Sequence, residues 1–336
     1  MDEPILKIED LRVHFLNGDK ILPANNGISY EVHRGECVAL IGESGSGKSV
    51  SALSILKLIP YPPGLIVGGK ILFHGENLLD YSDSRMEHLR GDRISMIFQE
   101  PMTSLNPVMT VGDQIMESLI WHRNLSAAEA RTETVQLLGK MGIAEPEKRL
   151  NEYPHQFSGG MQQRVMIAMA MACKPEILIA DEPTTALDVT VQAQVLEQMN
   201  ALRQENDMAL IIITHNLGIV ARYADTVQIV YGGRIVESGN VYDIFKRPCH
   251  PYTIGLIRAV PRLDLPRSHG LATIEGEPPD MSKVSPESCA FQNRCPLAAD
   301  VCVTRRPDFV SAEGENHYCA CHRMEEVISR REELLK

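Results

Sequence analysis

The stretch that most constrains the fold is the glycine-rich sequence GESGSGKS at residues 42–49. It follows the short apolar run CVALI (37–41) and precedes a stretch with helical character. The pattern G-x-x-x-x-G-K-[ST] between a buried strand and a helix is typical of a loop whose backbone N–H groups converge on phosphate oxygens. We call residues 42–49 the phosphate loop and predict that it binds a nucleotide.

Two side chains of the phosphate loop have distinct expected roles. Lys48 should reach the β- and γ-phosphates, and the Ser49 hydroxyl should complete the Mg²⁺ shell. The alternative, a Gly/Ser turn with an incidental lysine, is disfavoured by the position between strand and helix. The other predicted phosphate contacts are Gly42, Glu43, Ser44, Gly45, Ser46, Gly47 and Val50.

Composition narrows the class of protein. The 336 residues are 44% hydrophobic with a formal net charge of −11, which argues against a nucleic-acid partner. The N-terminus lacks a basic segment followed by an apolar one, and the longest apolar runs fall short of the ~20 residues that span a bilayer. We expect a soluble cytosolic chain without signal peptide or transmembrane segment, whose membrane role comes through partners.

Hydrophobic patterning predicts an α/β fold with a P-loop NTPase core. Residues 5–15 and 68–79 alternate like half-buried antiparallel strands, and 225–239 reads as a hairpin turning at Gly232-Gly233. An inserted helical subdomain is expected over about 101–165, and a Pro- and Cys-rich extension over 256–336. Wholly apolar runs separated by helical stretches predict buried parallel strands at 37–42, 176–181 and 209–215.

An acidic pair ends the apolar run at 176–181. Asp181 could hold Mg²⁺ directly or through water. Glu182 could act as the general base on the attacking water. The alternative is a solvated strand-end pair, which becomes less attractive with a phosphate loop upstream.

Residues 158–160, Ser-Gly-Gly, precede a long apolar helix, and we call them the signature turn. Their backbone N–H groups could form a second anion site at a helix N-terminus. One nucleotide has one set of phosphates, and Lys48 is already expected to bind them. A second phosphate-binding turn is therefore expected to contact the nucleotide of another subunit. The alternative is that Ser158 simply caps the helix while Gly159 and Gly160 provide flexibility.

Together these motifs resemble the ATP-binding cassette (ABC) family over nearly all of residues 5–255. SGGMQQR (158–164) is similar to its signature motif, with Phe157 and Met161 where leucine and glutamine are more usual. The resemblance implies an antiparallel β subdomain beside the core. It also implies that two ATP molecules are sandwiched between the phosphate loop of one subunit and the signature turn of the other.

Further positions match the family residue by residue. Gln99 resembles the Q-loop glutamine that senses the γ-phosphate and Mg²⁺, and Asp188 resembles the D-loop aspartate at the dimer interface. His215 resembles the switch histidine, with Asn216 in place of the usual aspartate. Phe15 is the best match to the aromatic residue that stacks on adenine. The resemblance thus implies the catalytic set Glu182, His215, Gln99 and Lys48, and the Mg²⁺ ligands Ser49, Gln99 and Asp181.

Transport is the predicted use of this ATPase. The chain lacks the sustained heptads of DNA-repair and chromosome ATPases, and it has one cassette where translation factors have two. A separate ATPase subunit is typical of binding-protein-dependent importers. We therefore expect two transmembrane permease subunits, a second, non-identical ATPase subunit, and a periplasmic or lipid-anchored binding protein.

The C-terminal part resembles ATP-binding subunits of dipeptide and oligopeptide permeases, through HPYTIGLIRAVP (250–261) and the cysteine-rich tail. This implies a nucleotide-binding domain at 1–255, an extension at 256–336, and a peripheral protein on the cytoplasmic face of the membrane. Related ATPase subunits serve nickel, glutathione and oligosaccharide uptake, so these cargoes stay open.

Five cysteines are concentrated in the tail, and in a cytosolic chain this favours metal ligands over disulfides. Their spacing exceeds the C-x-x-C of common zinc sites. The family resemblance implies a [4Fe-4S] cluster, with zinc and plain reduced cysteines as alternatives. The implied ligands are Cys289, Cys295, Cys302 and Cys321, with Cys319 as a possible substitute for the last.

Overall fold

The computed structural model describes residues 3–18, 20–99, 104–184, 188–261, 273–314 and 316–335. Its strands are β1 (Leu6–Asn17), β2 (Lys20–Val32), β3 (Cys37–Ile41), β4 (Gly64–Phe73), β5 (Glu76–Asn77), β6 (Ile94–Ile97), β7 (Ile177–Asp181), β8 (Ala209–Ile213), β9 (Thr226–Tyr231), β10 (Arg234–Asn240), β11 (Val310–Ser311) and β12 (Tyr318–Cys319).

The α-helices follow the same chain order. They are α1 (Lys48–Ile55), α2 (Asp83–Leu89), α3 (Val111–Arg123), α4 (Ala127–Lys140), α5 (Pro146–Arg149), α6 (Gly159–Met171), α7 (Val189–Glu205), α8 (Leu217–Tyr223), α9 (Val241–Lys246), α10 (Pro251–Arg258), α11 (Asp300–Thr304), α12 (Met324–Ser329) and α13 (Arg331–Leu334). Short 3-10 turns occur at Leu78–Asp80, Pro154–Gln156 and Gln292–Arg294.

The chain forms two compact units. The first comprises 1–4, 32–36 and 80–213. Its strands β6, β7 and β8 are parallel neighbours, and every residue of all three is buried. Between β6 and β7 the described chain is helical, including α3, α4 and α6, which confirms the predicted helical insertion.

The second unit comprises 5–31, 37–79 and 214–336. Strands β2, β1, β4 and β5 form a sheet in that order, with β1 and β4 antiparallel as predicted. Strand β3 pairs in parallel with β9, and β9 forms the predicted hairpin with β10. Its turn residues Gly232 and Gly233 have φ of 55° and 72°, which glycine adopts without strain.

The tail continues this sheet, which the sequence did not predict. Strand β12 pairs antiparallel with β10, and β11 pairs with β12. The predicted α/β class with an antiparallel β subdomain, a helical insertion and a C-terminal extension is confirmed. The predicted boundary between residues 255 and 256 falls inside the second unit and stays a prediction.

Across the ranges described above, no helix combines the length and the apolar character that a transbilayer span requires.

Candidate nucleotide-binding site

The phosphate loop connects β3 to α1 in the second unit. Helix α1 begins at Lys48, and the residue before it, Gly47, has a φ of 102°. The buried Lys48 side chain donates from Nζ to the carbonyl oxygens of Gly42 and Glu43, both at 2.8 Å. The ammonium group therefore lies inside the loop. When a nucleotide binds, phosphate oxygens would replace these carbonyl oxygens as its hydrogen-bond acceptors.

Close backbone packing explains why two loop positions are glycine. A Cβ on Gly42 would lie 2.1 Å from the carbonyl oxygen of Val230, and one on Gly47 would lie 2.4 Å from that of Ala24. The fully buried Asn25 donates from Nδ2 to the Gly47 carbonyl at 2.9 Å. Sequence analysis missed Asn25, because an asparagine in a Pro-Ala-Asn-Asn-Gly stretch resembles a turn residue.

The rest of the loop lies at the surface or at the start of α1. Ser44 and Gly45 are exposed at the tip, Ser46 is buried, and Ser49 and Val50 are half-buried in the first turn of the helix. That turn carries no acidic side chain, so the partial positive charge of the helix N-terminus is available to an anion.

The same unit brings His215 near the loop. The exposed His215 lines a cavity of about 390 Å³ together with Gly42 and Glu43. The half-buried Phe15 lies near the end of β1, opposite Gly64 of β4. The contacts described for Phe15 thus involve the antiparallel sheet rather than the loop.

The acidic pair lies in the first unit. Asp181 ends β7 and is 5% exposed. Glu182 follows with a φ of 47°, and its N–H donates to the carbonyl oxygen of Ile213 at 2.9 Å. Gln99 donates from Nε2 to Oε2 of Glu182 at 3.1 Å, so two predicted catalytic residues meet directly. Left-handed backbone at a non-glycine residue costs about 1–3 kcal/mol and is concentrated at functional sites.

Ser158 is the N-cap of α6. Its Oγ accepts a hydrogen bond from the N–H of Met161 at 3.3 Å, and Gly159 and Gly160 form the first turn. The Ser158 hydroxyl therefore caps the helix, whereas an anion would accept hydrogen bonds from the backbone N–H groups of the two glycines. Helix capping and anion binding are thus compatible.

Asp188 is the N-cap of α7. Its Oδ1 accepts from the N–H groups of Thr190 and Val191 at 3.1 and 3.0 Å. The preceding D-loop residues 186 and 187 lie outside the described residues.

Among the residues that the structure describes, one group of three metal-ligating side chains has its ligand atoms within 4.8 Å of one another: Glu237, Cys249 and His317. The Glu237 carboxylate accepts from the N–H groups of Cys249 and His250 at 2.7 and 2.9 Å, and lies 2.8 Å from Nε2 of His317. Burial lowers the pKa of His317, but hydrogen bonds to Cys249 and Glu237 outweigh it and raise the pKa to about 10. The raised pKa keeps the imidazole protonated near neutral pH, so Glu237 and His317 form a buried ion pair.

Comparison with known proteins identifies the family. The sequence profile of the ABC transporter family matches residues 25–185, and that of the oligopeptide/dipeptide transporter C-terminal region matches residues 236–302. The chain is 48% identical over 300 residues to the dipeptide transport ATP-binding protein DppD of Bacillus subtilis, covering 89% of each chain. The chain belongs to the ABC transporter family.

Two further relatives agree with this ABC assignment. The oligopeptide transport ATP-binding protein OppD of Escherichia coli is 47% identical over 305 residues, which cover 91% of this chain and 89% of OppD. A solved dimer of the ATP-binding cassette MJ0796, with ADP and Pi after hydrolysis, has a TM-score of 0.64 and 26% identity, and covers 70% of this chain and 98% of its own. As an ABC ATPase, the chain is an ATP-hydrolysing enzyme coupled to transport, with ATP and Mg²⁺ as the expected ligands.

The predicted [4Fe-4S] cluster requires correction. The relatives are named as transport ATP-binding proteins, and the one close group of ligating side chains among the described residues contains none of the four expected ligands. The cluster prediction for Cys289, Cys295, Cys302 and Cys321 is therefore wrong. Cys319, the expected substitute, lies buried in β12.

Proposed function

We propose that this chain is the ATP-hydrolysing subunit of a binding-protein-dependent importer of dipeptides or oligopeptides. The observation that carries the proposal is the phosphate loop with the Lys48 ammonium inside it. The cargo is inferred from the permease-type C-terminal region and from relatives named for dipeptide and oligopeptide transport.

The loop would bind the ATP phosphates. Backbone N–H groups of residues 42–50 would surround the phosphates, and Lys48 would neutralise charge on the β- and γ-phosphates. Ser49, Gln99 and Asp181 would hold Mg²⁺, and all three offer the oxygen donors that this ion prefers. When bound, Mg²⁺ would neutralise phosphate charge that develops during hydrolysis. Phe15 would stack on the adenine.

Glu182 would accept the proton of the attacking water. Its carboxylate already accepts a hydrogen bond from Gln99, which restricts the orientation that the base can take. Gln99 would sense the γ-phosphate. His215, which lines the cavity beside Gly42 and Glu43, would contact the same phosphate. Removing the general base typically reduces the rate about 10²–10⁴-fold.

A second ATPase subunit would complete each site. The signature turn, Ser158, Gly159 and Gly160, would direct its N–H groups at the nucleotide held by the partner, and Asp188 would lie at the dimer interface. Closure would be driven by phosphate charge attracted to N–H groups on both sides, and hydrolysis would release it. The fold's similarity to a dimeric cassette supports this arrangement.

The assembly would contain two permease subunits, a related but non-identical second ATPase, and a peptide-binding protein that acts through the permease. The chain would be peripheral on the cytoplasmic face of the membrane and would bind no nucleic acid. Residues 1–255 would form the nucleotide-binding domain and 256–336 the extension.

The test is a mild-detergent pull-down from native membranes, followed by an ATPase assay with the binding protein and short peptides. Co-purification of two permease subunits and a second ATPase, with peptide-stimulated turnover, is the expected result. The same complex stimulated by nickel, glutathione or an oligosaccharide would contradict the peptide cargo. Absence of membrane partners would contradict the transport function itself.

A further inference from the structure

An arginine of the tail binds a carboxylate of the phosphate loop. Arg294 ends the 3-10 turn Gln292–Arg294 and lies 251 residues from Glu43. Its Nη1 donates to Oε2 of Glu43 at 2.6 Å, and its Nη2 donates to Oε1 at 3.0 Å. The side chain of Arg294 is 5% exposed and that of Glu43 is 25% exposed. A buried, two-point contact of this type is stronger and more directional than a surface ion pair.

The remaining donors of Arg294 fix its orientation. Nε donates to the carbonyl oxygen of Glu275 at 3.0 Å, and Nη2 also donates to that of Ile274 at 3.3 Å. Nη1 lies 3.3 Å from the hydroxyl of Tyr231. Because each guanidinium nitrogen has a partner, a lysine could reproduce the charge at this position but not the geometry.

Glu43 is held at its backbone as well. Its N–H donates to the Tyr252 hydroxyl at 2.9 Å, and its carbonyl oxygen accepts from Lys48 at 2.8 Å. Tyr252 itself packs against Tyr231 and Phe291, with ring centroids 4.5 and 5.4 Å away. The second residue of the phosphate loop therefore contacts the catalytic lysine on one side and residues of the C-terminal region on the other.

We propose that Arg294 is a positioning residue for nucleotide binding: it neutralises the Glu43 carboxylate at the start of the phosphate loop and holds it in a fixed orientation. The inference rests on the proposed nucleotide site and adds to it a requirement for the C-terminal extension. A carboxylate without this partner would repel the phosphates of ATP and compete for the Lys48 ammonium. Loss of a charge-assisted hydrogen-bonded pair typically weakens binding about tenfold or more.

The experiment measures Mg-ATP affinity of the full-length chain by isothermal titration calorimetry. The variants are Arg294→Gln, Glu43→Gln and the double variant. Arg305→Gln is the matched control, because Arg305 pairs with Asp308 in an exposed ion pair of the same tail. We expect Arg294→Gln to raise the Kd at least about tenfold and the control to leave it unchanged.

Rescue distinguishes positioning from a general loss of structure. Adding Glu43→Gln to Arg294→Gln removes the carboxylate that needs neutralising, so the double variant should recover most of the affinity, to within about threefold of Glu43→Gln alone. If Arg294→Gln does not fold, Arg294→Lys takes its place, with an expected several-fold loss that Glu43→Gln again relieves.

Two results would overturn the inference. One is an unchanged Kd in the Arg294 variants, and the other is a loss that the Glu43 substitution does not rescue. Failure of the unaltered chain to bind Mg-ATP would refute the proposed nucleotide site itself, and the inference with it.

Discussion

Replacing Gly47 by alanine should destabilise the protein far more than the same change at Gly45. Both glycines belong to the phosphate loop and both have a positive φ, 102° and 76°. They differ in the space around a new methyl group. A Cβ on Gly45 would have no neighbour within 4 Å, whereas one on Gly47 would lie 2.4 Å from the backbone oxygen of Ala24 and 2.5 Å from Nδ2 of Asn25.

The size of the difference follows from these contacts. Both variants incur the ~1–2 kcal/mol cost of a left-handed L-residue. Gly47→Ala adds an overpacking cost of about 1–3 kcal/mol, since the nearest atom belongs to the backbone. It also displaces the buried Asn25 amide from its hydrogen bond with the Gly47 carbonyl, at about 1 kcal/mol. The free energy of unfolding should therefore fall roughly 3 kcal/mol further in Gly47→Ala than in Gly45→Ala.

Differential scanning calorimetry of the nucleotide-free chain measures this difference. With an unfolding entropy of about 2.1 cal/mol/K per residue over 336 residues, a gap of about 3 kcal/mol corresponds to a Tm lower by roughly 4 °C in Gly47→Ala than in Gly45→Ala. Equal Tm values for the two variants would refute the argument, because left-handed φ alone would then account for both losses.

Three further predictions test the site and the tail. Glu182→Gln should keep Mg-ATP binding but slow phosphate release at least about 100-fold, and a wild-type rate would exclude Glu182 as the base. Ser158→Ala should lower the free energy of unfolding by about 1 kcal/mol through loss of the α6 cap, whereas Ser44→Ala at the exposed loop tip should be neutral in urea titration. The pKa of His317 is raised from 6.5 to about 10 on folding, so its stabilisation is complete below pH 6.5 and is lost as the pH rises towards 10. The Tm of the unaltered chain should therefore fall between pH 6.5 and 10. The fall should be less steep in His317→Gln, whereas His155→Gln, at an exposed position, should show the same slope as the unaltered chain.

Local patterns predicted much of the fold. Strands β3, β7 and β8 are wholly buried, so continuous apolar runs located them to within one or two residues. Strand β2 escaped prediction because Pro23 and the Asn26-Gly27 pair in its centre are typical of turns, and Gly27 indeed has a φ of 96°. The strand forms because its neighbours in the sheet outweigh these local preferences.

The candidate site likewise contains residues that a local pattern predicts and contacts that no local pattern predicts. The phosphate loop is contiguous, so its spacing alone identified Lys48 and the glycines. Contacts such as Gln99 with Glu182, 83 residues apart, or Glu43 with Arg294, leave no local pattern, since charged and polar residues are common at any surface. The tail cysteines illustrate the opposite error, because spacing along the chain does not by itself establish a set of metal ligands.

The two-residue strand β12 has a consequence for solubility. It covers the outer edge of β10, where Glu237 and Ser238 pair with Cys319 and Tyr318, and the Ala320 N–H donates to the Val236 carbonyl oxygen at 2.8 Å. An uncovered strand edge offers its N–H and C=O groups to other chains and invites aggregation. A chain shortened to residues 1–255 would expose this edge of β10, so a truncated cassette should self-associate even where its phosphate loop is intact.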